Sequence, residues 1–323
     1  MAFDGLSRYR LNRPVAQEEL AARLPTSESC SEAPKDSNTV FSMSNACLEV
    51  SDANYREKGW GLLGFLLPGS FSLAGTVGIL WMMTHIPPVY EERGQLGIIH
   101  GILGFFLVVM LCLLGVGVWA LTRDCFNYTR KPIRFNRPNR TVYVFRHNGQ
   151  DGVLSVAWDK AFFYVERKPR AGLARTAPRL IRCLVLDDGG QVVDTFSVGR
   201  RVVLTTDEDS PAGQQVMDLL YGNFEFYRRF MEEGPSSVPP VSDFLSTKTS
   251  FWNSLKIQFE DAPDIIHSRN PAFLLLLVVT ALPSLIQATV HYLAQLTCRE
   301  PVWPADVERA CSTSAKRAEG VAS

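Results

Sequence analysis

The stretch GWGLLGFLLPGSFSLAGTVGILWMM, from Gly59 to Met83, carries no charged side chain, and the charge-free run continues to Tyr90. A transmembrane helix needs about 20 mostly apolar residues to cross roughly 30 Å of hydrocarbon. The stretch therefore predicts a membrane span from about Trp60 to Met83. The alternative is a helix buried in the core of a soluble protein, but such helices rarely run this far without a charge.

Two further charge-free stretches, 94–122 and 270–298, predict a second and a third span. The first two spans are joined by a short connector that contains Pro87-Pro88, and together they form a helical hairpin. Basic residues precede the first span and follow the second. By the positive-inside rule, the N-terminus and the middle of the chain lie in the cytoplasm. The third span would then carry the C-terminal tail to the periplasm.

The composition excludes several classes of protein. The 33 basic and 33 acidic side chains give a net charge of zero, whereas a nucleic-acid binder carries a basic excess. Seven cysteines are too few for a disulfide-built scaffold. The sequence holds no HExxH, paired CxxC, P-loop or GxSxG motif. We therefore expect no enzymatic activity, metal, cofactor or small-molecule substrate.

Small residues recur on the hairpin helices, where they allow close helix packing in lipid. These candidate helix-packing residues are Ser70, Ala74, Gly78, Gly97 and Gly101. Packing within the hairpin is favoured over dimerisation. His100 and His291 lie inside spans that contain no acidic and no second basic side chain, so we expect packing histidines and no proton relay. Cys298 and Cys311 form a candidate disulfide outside the membrane, although both can equally stay free.

The middle of the chain switches to short β-type runs separated by turns, such as TVYVFR (141–146) and LIRCLVLDD (180–188). A helix follows from Pro211, with Ser210 as its N-cap. About six strands and one amphipathic C-terminal helix are the order of a pleckstrin-homology-like fold.

The fold class is therefore an α+β membrane protein. It has six predicted parts: a partly disordered cytoplasmic N-terminal segment (1–58), a transmembrane hairpin (59–122), a cytoplasmic β-rich domain with its helix (123–234), a linker with an interfacial helix (235–269), a third transmembrane helix (270–298) and a tail (299–323).

A basic stretch, TRKPIRFNRPNR, follows the second span. Its members are a candidate membrane-surface patch of Arg130, Lys131, Arg134, Arg137 and Arg140. Contact with anionic headgroups is worth about 1 kcal/mol per basic residue. The simpler interpretation is that these charges only fix the topology, and both can hold.

The segments CLEVSDANYREKGW, RFNRPNRTVYVFR and VAWDKAFFYVE resemble bacterial membrane proteins with the domain of unknown function 6708. The matching positions include Arg134-Phe135-Asn136-Arg137 and Trp158-Asp159, and the resemblance covers roughly residues 47–230. It implies a membrane hairpin followed by a domain with an RFNR-like strand, without an assigned activity. It also implies genes beside type VI secretion effectors, and hence an immunity or accessory role.

We therefore expect a non-enzymatic, multi-pass protein of the bacterial inner membrane whose cytoplasmic domain binds a toxin or effector. One alternative is a membrane-anchored factor for effector assembly or delivery. Another is a regulatory domain that binds anionic lipid. The bilayer is a partner in every case, and nucleic acid in none.

Overall fold

The computed structural model describes residues 2–5, 7–170, 176–241 and 243–312, apart from the side chain of Asp264. Its strands are β1 (Ala2–Asp4), β2 (Ser7–Tyr9), β3 (Arg23–Leu24), β4 (Val40–Met43), β5 (Cys47–Val50), β6 (Ile133–Asn136), β7 (Thr141–Phe145), β8 (Val153–Ala157), β9 (Phe162–Arg167), β10 (Ala177–Leu186) and β11 (Val192–Leu204).

Its helices are α1 (Gln17–Ala21), α2 (Trp60–Gly64), α3 (Ser70–Thr84), α4 (Pro88–Glu92), α5 (Leu96–Asp124), α6 (Pro211–Glu232), α7 (Phe251–Gln258), α8 (Ala262–Ser268) and α9 (Pro271–Leu296). A π-helical segment, Phe65–Gly69, joins α2 to α3 around Pro68. Residues 305–312 are also helical and are called the tail helix below.

The chain divides into two compact units. The sheet unit contains the described residues of 1–56, 128–248 and 300–323, and the helical unit contains Glu57–Asn127 and Thr249–Arg299. The predicted division differs, because it separated the N-terminal segment and the tail from the central domain. In the structure the described residues of 1–56 and those from Glu300 onward belong to the same unit as 128–248.

Two larger antiparallel sheets enclose the core of the sheet unit, and β1 and β2 pair as a separate two-stranded sheet. One has the order β4-β5-β6-β7-β8 and the other has the order β11-β10-β9-β3. Alternate residues of both sheets, such as Phe135 and Phe163, point into one shared core, which also contains Phe224 and Tyr227 of α6. The β-rich character predicted for the middle of the chain is confirmed, with antiparallel sheets. The longest strand, β11, continues through Gly199, whose φ is +76°.

The first sheet contains an unusual connection. β5 and β6 are neighbours, with Cys47 paired to Asn136 and Val50 paired to Ile133. The chain between them contains the whole predicted membrane hairpin. The hairpin is therefore an insertion between two paired strands, so both of its ends return to the same sheet.

The outer face of the second sheet is covered by the N-terminal hairpin β1-β2. Arg182 of β10 is only 1% exposed, and it forms ion pairs of 3.0 Å with Asp4 and 2.7 Å with Glu166. Its guanidinium also lies 3.8 Å from the centre of the Tyr9 ring. Burial opposes ionisation of Asp4, but the charges of Arg182 and Lys131 keep the pKa of its carboxyl below the usual value. A buried charge cluster therefore holds the N-terminus on the sheet.

The helical unit contains three helices that are long and apolar enough to cross a membrane: Tyr55–Thr84, Leu96–Asp124 and Pro271–Leu296. Apolar side chains lie exposed along them, including Ile98 at 66% and Val278 at 71% exposure. Such surfaces are typical of contact with lipid. The unit is thus suited to anchor the chain in a bilayer.

The polar ends of these helices are held together at one level. Asp124 accepts hydrogen bonds from the backbone nitrogens of Gly59 and Gly61 at 2.9 and 2.5 Å, which caps the start of α2. Lys58 donates to the carbonyl of Asp124 at 2.8 Å, and Gln287 donates to the carbonyl of Lys58 at 3.1 Å. This network ties α2, α5 and α9 into one bundle.

Candidate functional site

The candidate site lies on the outer face of the five-stranded sheet. Side chains alternate along β5, so Leu48 and Val50 enter the core while Cys47 and Glu49 point outward. On the neighbouring strand, Phe135 points inward and Arg134 points outward. The segment after α9 packs against this outward face, which makes the tail part of the sheet unit.

A charged and aromatic cluster fixes the tail there. Arg134 donates to Glu49 at 2.5 Å and forms a second ion pair with Glu308 at 3.0 Å. Its guanidinium lies 4.6 Å from the centre of the Trp303 ring, whose indole nitrogen donates to Glu49 at 3.2 Å. Burial opposes the charge on Arg134, but Glu49 and Glu308 raise its pKa. Arg134 therefore links the sheet to the tail helix.

An apolar cluster continues this contact. Phe145 is fully buried and meets Trp303 edge to face, with 5.8 Å between ring centres. Val307 of the tail helix packs beside them. This packing places the described residues from Glu300 onward in the same unit as the central strands, whereas the sequence suggested a separate tail.

A groove of about 620 Å³ opens beside the docked tail. One wall is the β7-β8 turn, Asn148–Gln150, and the other is the segment Val302–Asp306 together with Arg309. Asn148 accepts a hydrogen bond from the backbone nitrogen of Val302 at 2.9 Å, which fixes the distance between the walls. The groove offers backbone amides, an acid, a base and the exposed side chain of Val302.

The RFNR segment, residues 134–137, lies beneath this face and contributes to the core and to the turn into β7. Phe135 stacks on Tyr227 of α6, with ring centres 5.2 Å apart. Asn136 is fully buried and accepts a hydrogen bond from the backbone of Asn139 at 3.1 Å, which shapes the turn into β7. The Arg137 side chain lies against Gly234, just after α6. The motif is therefore explained by packing and turn geometry.

The Trp-Asp pair closes the end of the core. Trp158 is fully buried and donates to Glu232 at 2.6 Å. Arg140 binds both Asp159 and Glu232. Its hydrogen bonds lower the pKa of both carboxyls. Together these residues attach the end of α6 to the turn after β8.

The predicted basic patch is divided among separate contacts. Arg130 pairs with Glu300 at 2.6 Å and lies over the ring of Phe41. Arg134 and Arg140 form the ion pairs described above. Arg137 packs against Gly234 after α6, and the charge of Lys131 helps to lower the pKa of Asp4. The structure therefore does not gather the five residues into one open basic face.

The predicted helix-packing residues lie away from the hairpin interface. Ser70 and Ala74 are exposed, and a Cβ on Gly78, Gly97 or Gly101 would meet nothing within 4 Å. The contact uses another face of α3, with Ser72 and Thr76 buried. A Cβ on Gly61 would lie 2.3 Å from the carbonyl oxygen of Ala120. Sequence reasoning chose the wrong stripe because several small residues line both faces.

The two histidines of the spans differ in their surroundings. His291 is fully buried and shares a hydrogen bond of 2.8 Å with Ser254 of α7, in keeping with a packing role. His100 bonds the carbonyl of Leu96 within its own helix, at 2.9 Å. Both contacts lie within the helical unit.

The predicted Cys298–Cys311 disulfide is not formed, since both cysteines are free. The Cys298 thiol donates to the carbonyl of Asp124 at 3.3 Å in the helical unit. Cys311 lies instead beside Cys47, in the sheet unit. The two cysteines thus belong to different units, and the structure shows the alternative in which both stay free.

Sequence reasoning missed Glu49, Trp303 and Arg182. A signal existed for two of them: Arg182 interrupts the apolar run LIRCLVL, and Trp303-Pro304 directly precedes a helical pattern. Within the described part of the chain, no group of three or more His, Cys, Asp or Glu side chains could hold a metal ion.

Comparison with known proteins gives one match. The profile of a family described as "Family of unknown function (DUF6708)" matches residues 109–315, more than half of the chain. No curated protein and no solved structure matches. The matched region includes the RFNR strand, Trp158, α6 and Trp303, whereas the N-terminal strands lie outside it.

Proposed function

The chain belongs to the DUF6708 family, and on that premise we propose that it is a non-enzymatic, membrane-anchored protein whose sheet unit binds another protein. The groove between the β7-β8 turn and the docked tail carries this proposal. Its walls come from two distant parts of the chain, and polar groups border an exposed apolar side chain. Protein interfaces combine these properties.

The partner proposed here is a toxin or effector of a type VI secretion system, and the role is immunity. The resemblance of the RFNR and Trp-Asp segments to proteins encoded beside such effectors supports this choice. The protein would occlude the active surface of the toxin at the inner membrane. The residues of the groove would bind the toxin and would not convert it chemically.

The experiment is a deletion strain exposed to siblings that deliver the cognate toxin. We expect the strain to be sensitive, and the wild-type gene to restore resistance. Asp306→Arg with Arg309→Glu reverses both groove charges and should not restore it. Lys160→Glu is the matched control, because Lys160 is 80% exposed and outside the groove. A deletion strain that stays resistant contradicts immunity, and lost effector delivery with intact resistance indicates a delivery factor.

The binding of anionic lipid by the basic residues has less support. Arg134 and Arg140 each already contact two carboxylates, so headgroups would compete with existing ion pairs. Vesicle binding that survives charge reversal of Lys131 and Arg137 would remove this alternative.

The sheet unit also supports a pleckstrin-homology-like architecture. Two antiparallel sheets enclose one core, and the helix α6 follows the last strand. The strands β3, β4 and β5 from the N-terminal segment extend the sheets beyond the predicted domain.

We further propose an inner-membrane topology in which the whole sheet unit, including the tail, is cytoplasmic. The hairpin crosses twice, in keeping with the positive-inside rule. In the helical unit, Phe251 at the start of α7 meets Tyr292 near the end of α9, with ring centres 5.9 Å apart. The start of α7 and the end of α9 thus lie at one level of the helical unit. This arrangement supports a return of the tail to the side of the membrane from which α7 begins.

Single cysteines in an otherwise cysteine-free chain test this topology. Glu91→Cys, in the connector, should react with a membrane-impermeant maleimide in intact cells. Arg309→Cys, exposed on the tail helix, should react only after lysis. Labelling of Arg309→Cys in intact cells would contradict the proposed position of the tail.

A further inference from the structure

Two cysteines from opposite ends of the chain meet on the outer face of the five-stranded sheet. Cys47 opens β5 and is paired in register with Asn136. The side-chain nitrogen of Asn136 lies 3.9 Å from the sulfur of Cys311 in the tail helix. Cys47 and Cys311 therefore both lie beside Asn136, near enough for their thiols to interact directly. Both cysteines are free and only partly buried, so a small oxidant in solution can reach them.

We propose that Cys47 and Cys311 are a redox-active pair, which forms a disulfide when a disulfide oxidant such as oxidised glutathione reaches the sheet unit. The bond would attach the tail helix covalently to β5. The proposal does not depend on the identity of the partner protein, and it adds a modification site to the surface beside the groove.

The surroundings of the two cysteines differ, so that they favour the thiolate form of one and the protonated form of the other. The hydrogen bond from Cys47 lowers the pKa of Cys311, and the nearby positive charge of Arg134 adds to this effect against the cost of burial. The hydrogen bond to Cys311 and burial raise the pKa of Cys47. The thiolate is the reactive form of cysteine. Cys311 is therefore the residue that attacks the oxidant.

The reaction balances in two exchanges. The Cys311 thiolate attacks one sulfur of oxidised glutathione, forming a mixed disulfide and releasing one glutathione thiolate. Once the Cys311 sulfur is part of the mixed disulfide, it no longer accepts a hydrogen bond from the Cys47 thiol. Cys47 then loses its proton to the released thiolate or to water and attacks the Cys311 sulfur. The second glutathione leaves, so two protein thiols are oxidised and one glutathione disulfide is reduced.

The disulfide would reinforce a contact that is otherwise non-covalent. The tail is held by the Arg134–Glu308 ion pair, which is partly exposed on the Glu308 side, and by the packing of Trp303 and Val307. A bond between residues 47 and 311 closes a loop over most of the chain, and long loops gain most from such a link. Oxidation should therefore suppress local opening of the tail.

The test uses the full-length protein in detergent, treated with oxidised or reduced glutathione and alkylated before digestion with trypsin. The expected major oxidised product joins the tryptic peptide 36–56, which contains Cys47, to the peptide 310–316, which contains Cys311. Cys298 lies in a separate peptide, 270–299, so its bonds are distinguished directly. Cys298→Ser is the matched control and should leave the product unchanged.

The wild-type digest alone decides the outcome, so the test does not require that Cys47→Ser or Cys311→Ser fold. A glutathione adduct that persists on Cys311, a link from Cys311 to Cys298, or unmodified thiols at full oxidation of a reference dithiol would each overturn the proposal. As a second readout, Arg134→Met should slow the alkylation of Cys311 at neutral pH without changing that of Cys298.

Discussion

The indole nitrogen of Trp158 donates a hydrogen bond of 2.6 Å to a carboxylate oxygen of Glu232. The first residue follows β8 and the second ends α6, so the bond joins the first sheet to the helix in the core. Arg140 binds the same carboxylate from outside. A buried aromatic side chain thus has its only polar group satisfied at the edge of the core.

Replacing Glu232 by alanine should destabilise the sheet unit. The buried N–H of Trp158 would lose its acceptor, which costs about 1–3 kcal/mol. Thermal unfolding in detergent, followed by tryptophan fluorescence, measures the loss. Asp218→Ala is the control, since Asp218 is exposed on the same helix. Equal unfolding temperatures for the two variants would contradict the role of this hydrogen bond.

Arg182→Met should have a larger effect. It leaves the carboxylates of Asp4 and Glu166 without their buried cation, and breaking such a cluster costs about 3–5 kcal/mol. Chemical denaturation of the full chain measures this change. Arg10→Met replaces an exposed arginine near the same strands and should be nearly neutral. If Arg182→Met unfolds at the same denaturant concentration as the control, the charge cluster does not hold the N-terminus.

The stability of the sheet unit should depend on Glu225 in acid. Burial opposes its ionisation, but hydrogen bonds from Arg228, Arg229 and the backbone of Cys30 lower its pKa from 4.5 to about 2. A lowered pKa gives stability that is complete above the unfolded value and is lost as the pH falls toward the folded value. The advantage of wild type over Glu225→Gln should therefore shrink between pH 4.5 and pH 2.

The measurement is the difference in unfolding temperature between the two proteins across that pH range. Asp218→Asn is the control for the loss of an exposed carboxyl on the same helix. A constant difference between wild type and Glu225→Gln would show that Glu225 is not held ionised by its arginine neighbours.

Two glycines of the hairpin should respond oppositely to alanine. Gly61→Ala places a Cβ 2.3 Å from the carbonyl oxygen of Ala120, so the helices must separate. Gly78→Ala meets open space and replaces a poor helix former, which gains about 1 kcal/mol in a helix interior. The yield of folded protein and its unfolding temperature in detergent compare the two. Destabilisation by Gly78→Ala equal to that by Gly61→Ala would contradict the assigned interface.

The parts of the fold that follow from local pattern were predictable. Charge-free stretches indicated α3, α5 and α9, and alternating apolar residues with Gly turns indicated β7 to β10. Ser210-Pro211 marked the start of α6, where Ser210 does accept a hydrogen bond from Gly213 at 3.0 Å. In each case the signal lies within the element itself.

The parts that depend on distant contacts were not predictable. β3, β4 and β5 have only two to four residues each. β3 and β5 are fixed by pairing with β9 and β6, far along the chain, and β4 pairs with β5. The docking of the tail depends on Trp303 meeting Phe145 and Arg134. The packing face of α3 was missed because Ser72 and Thr76 satisfy their hydroxyls on carbonyls of their own helix, at 2.7 and 2.8 Å. A polar residue in a span can thus be an interface residue.

The insertion of the hairpin between β5 and β6 has a consequence for biogenesis. β5 leaves the ribosome early, yet its partner β6 is synthesised only after both spans of the hairpin. The last piece of the same unit, the tail helix, follows α9. The sheet unit therefore cannot finish folding until every apolar helix has been made, and a chain whose helices fail to enter the bilayer keeps its β5 edge unpaired and open to aggregation or proteolysis. A completed sheet therefore indicates that the apolar helices have entered the bilayer.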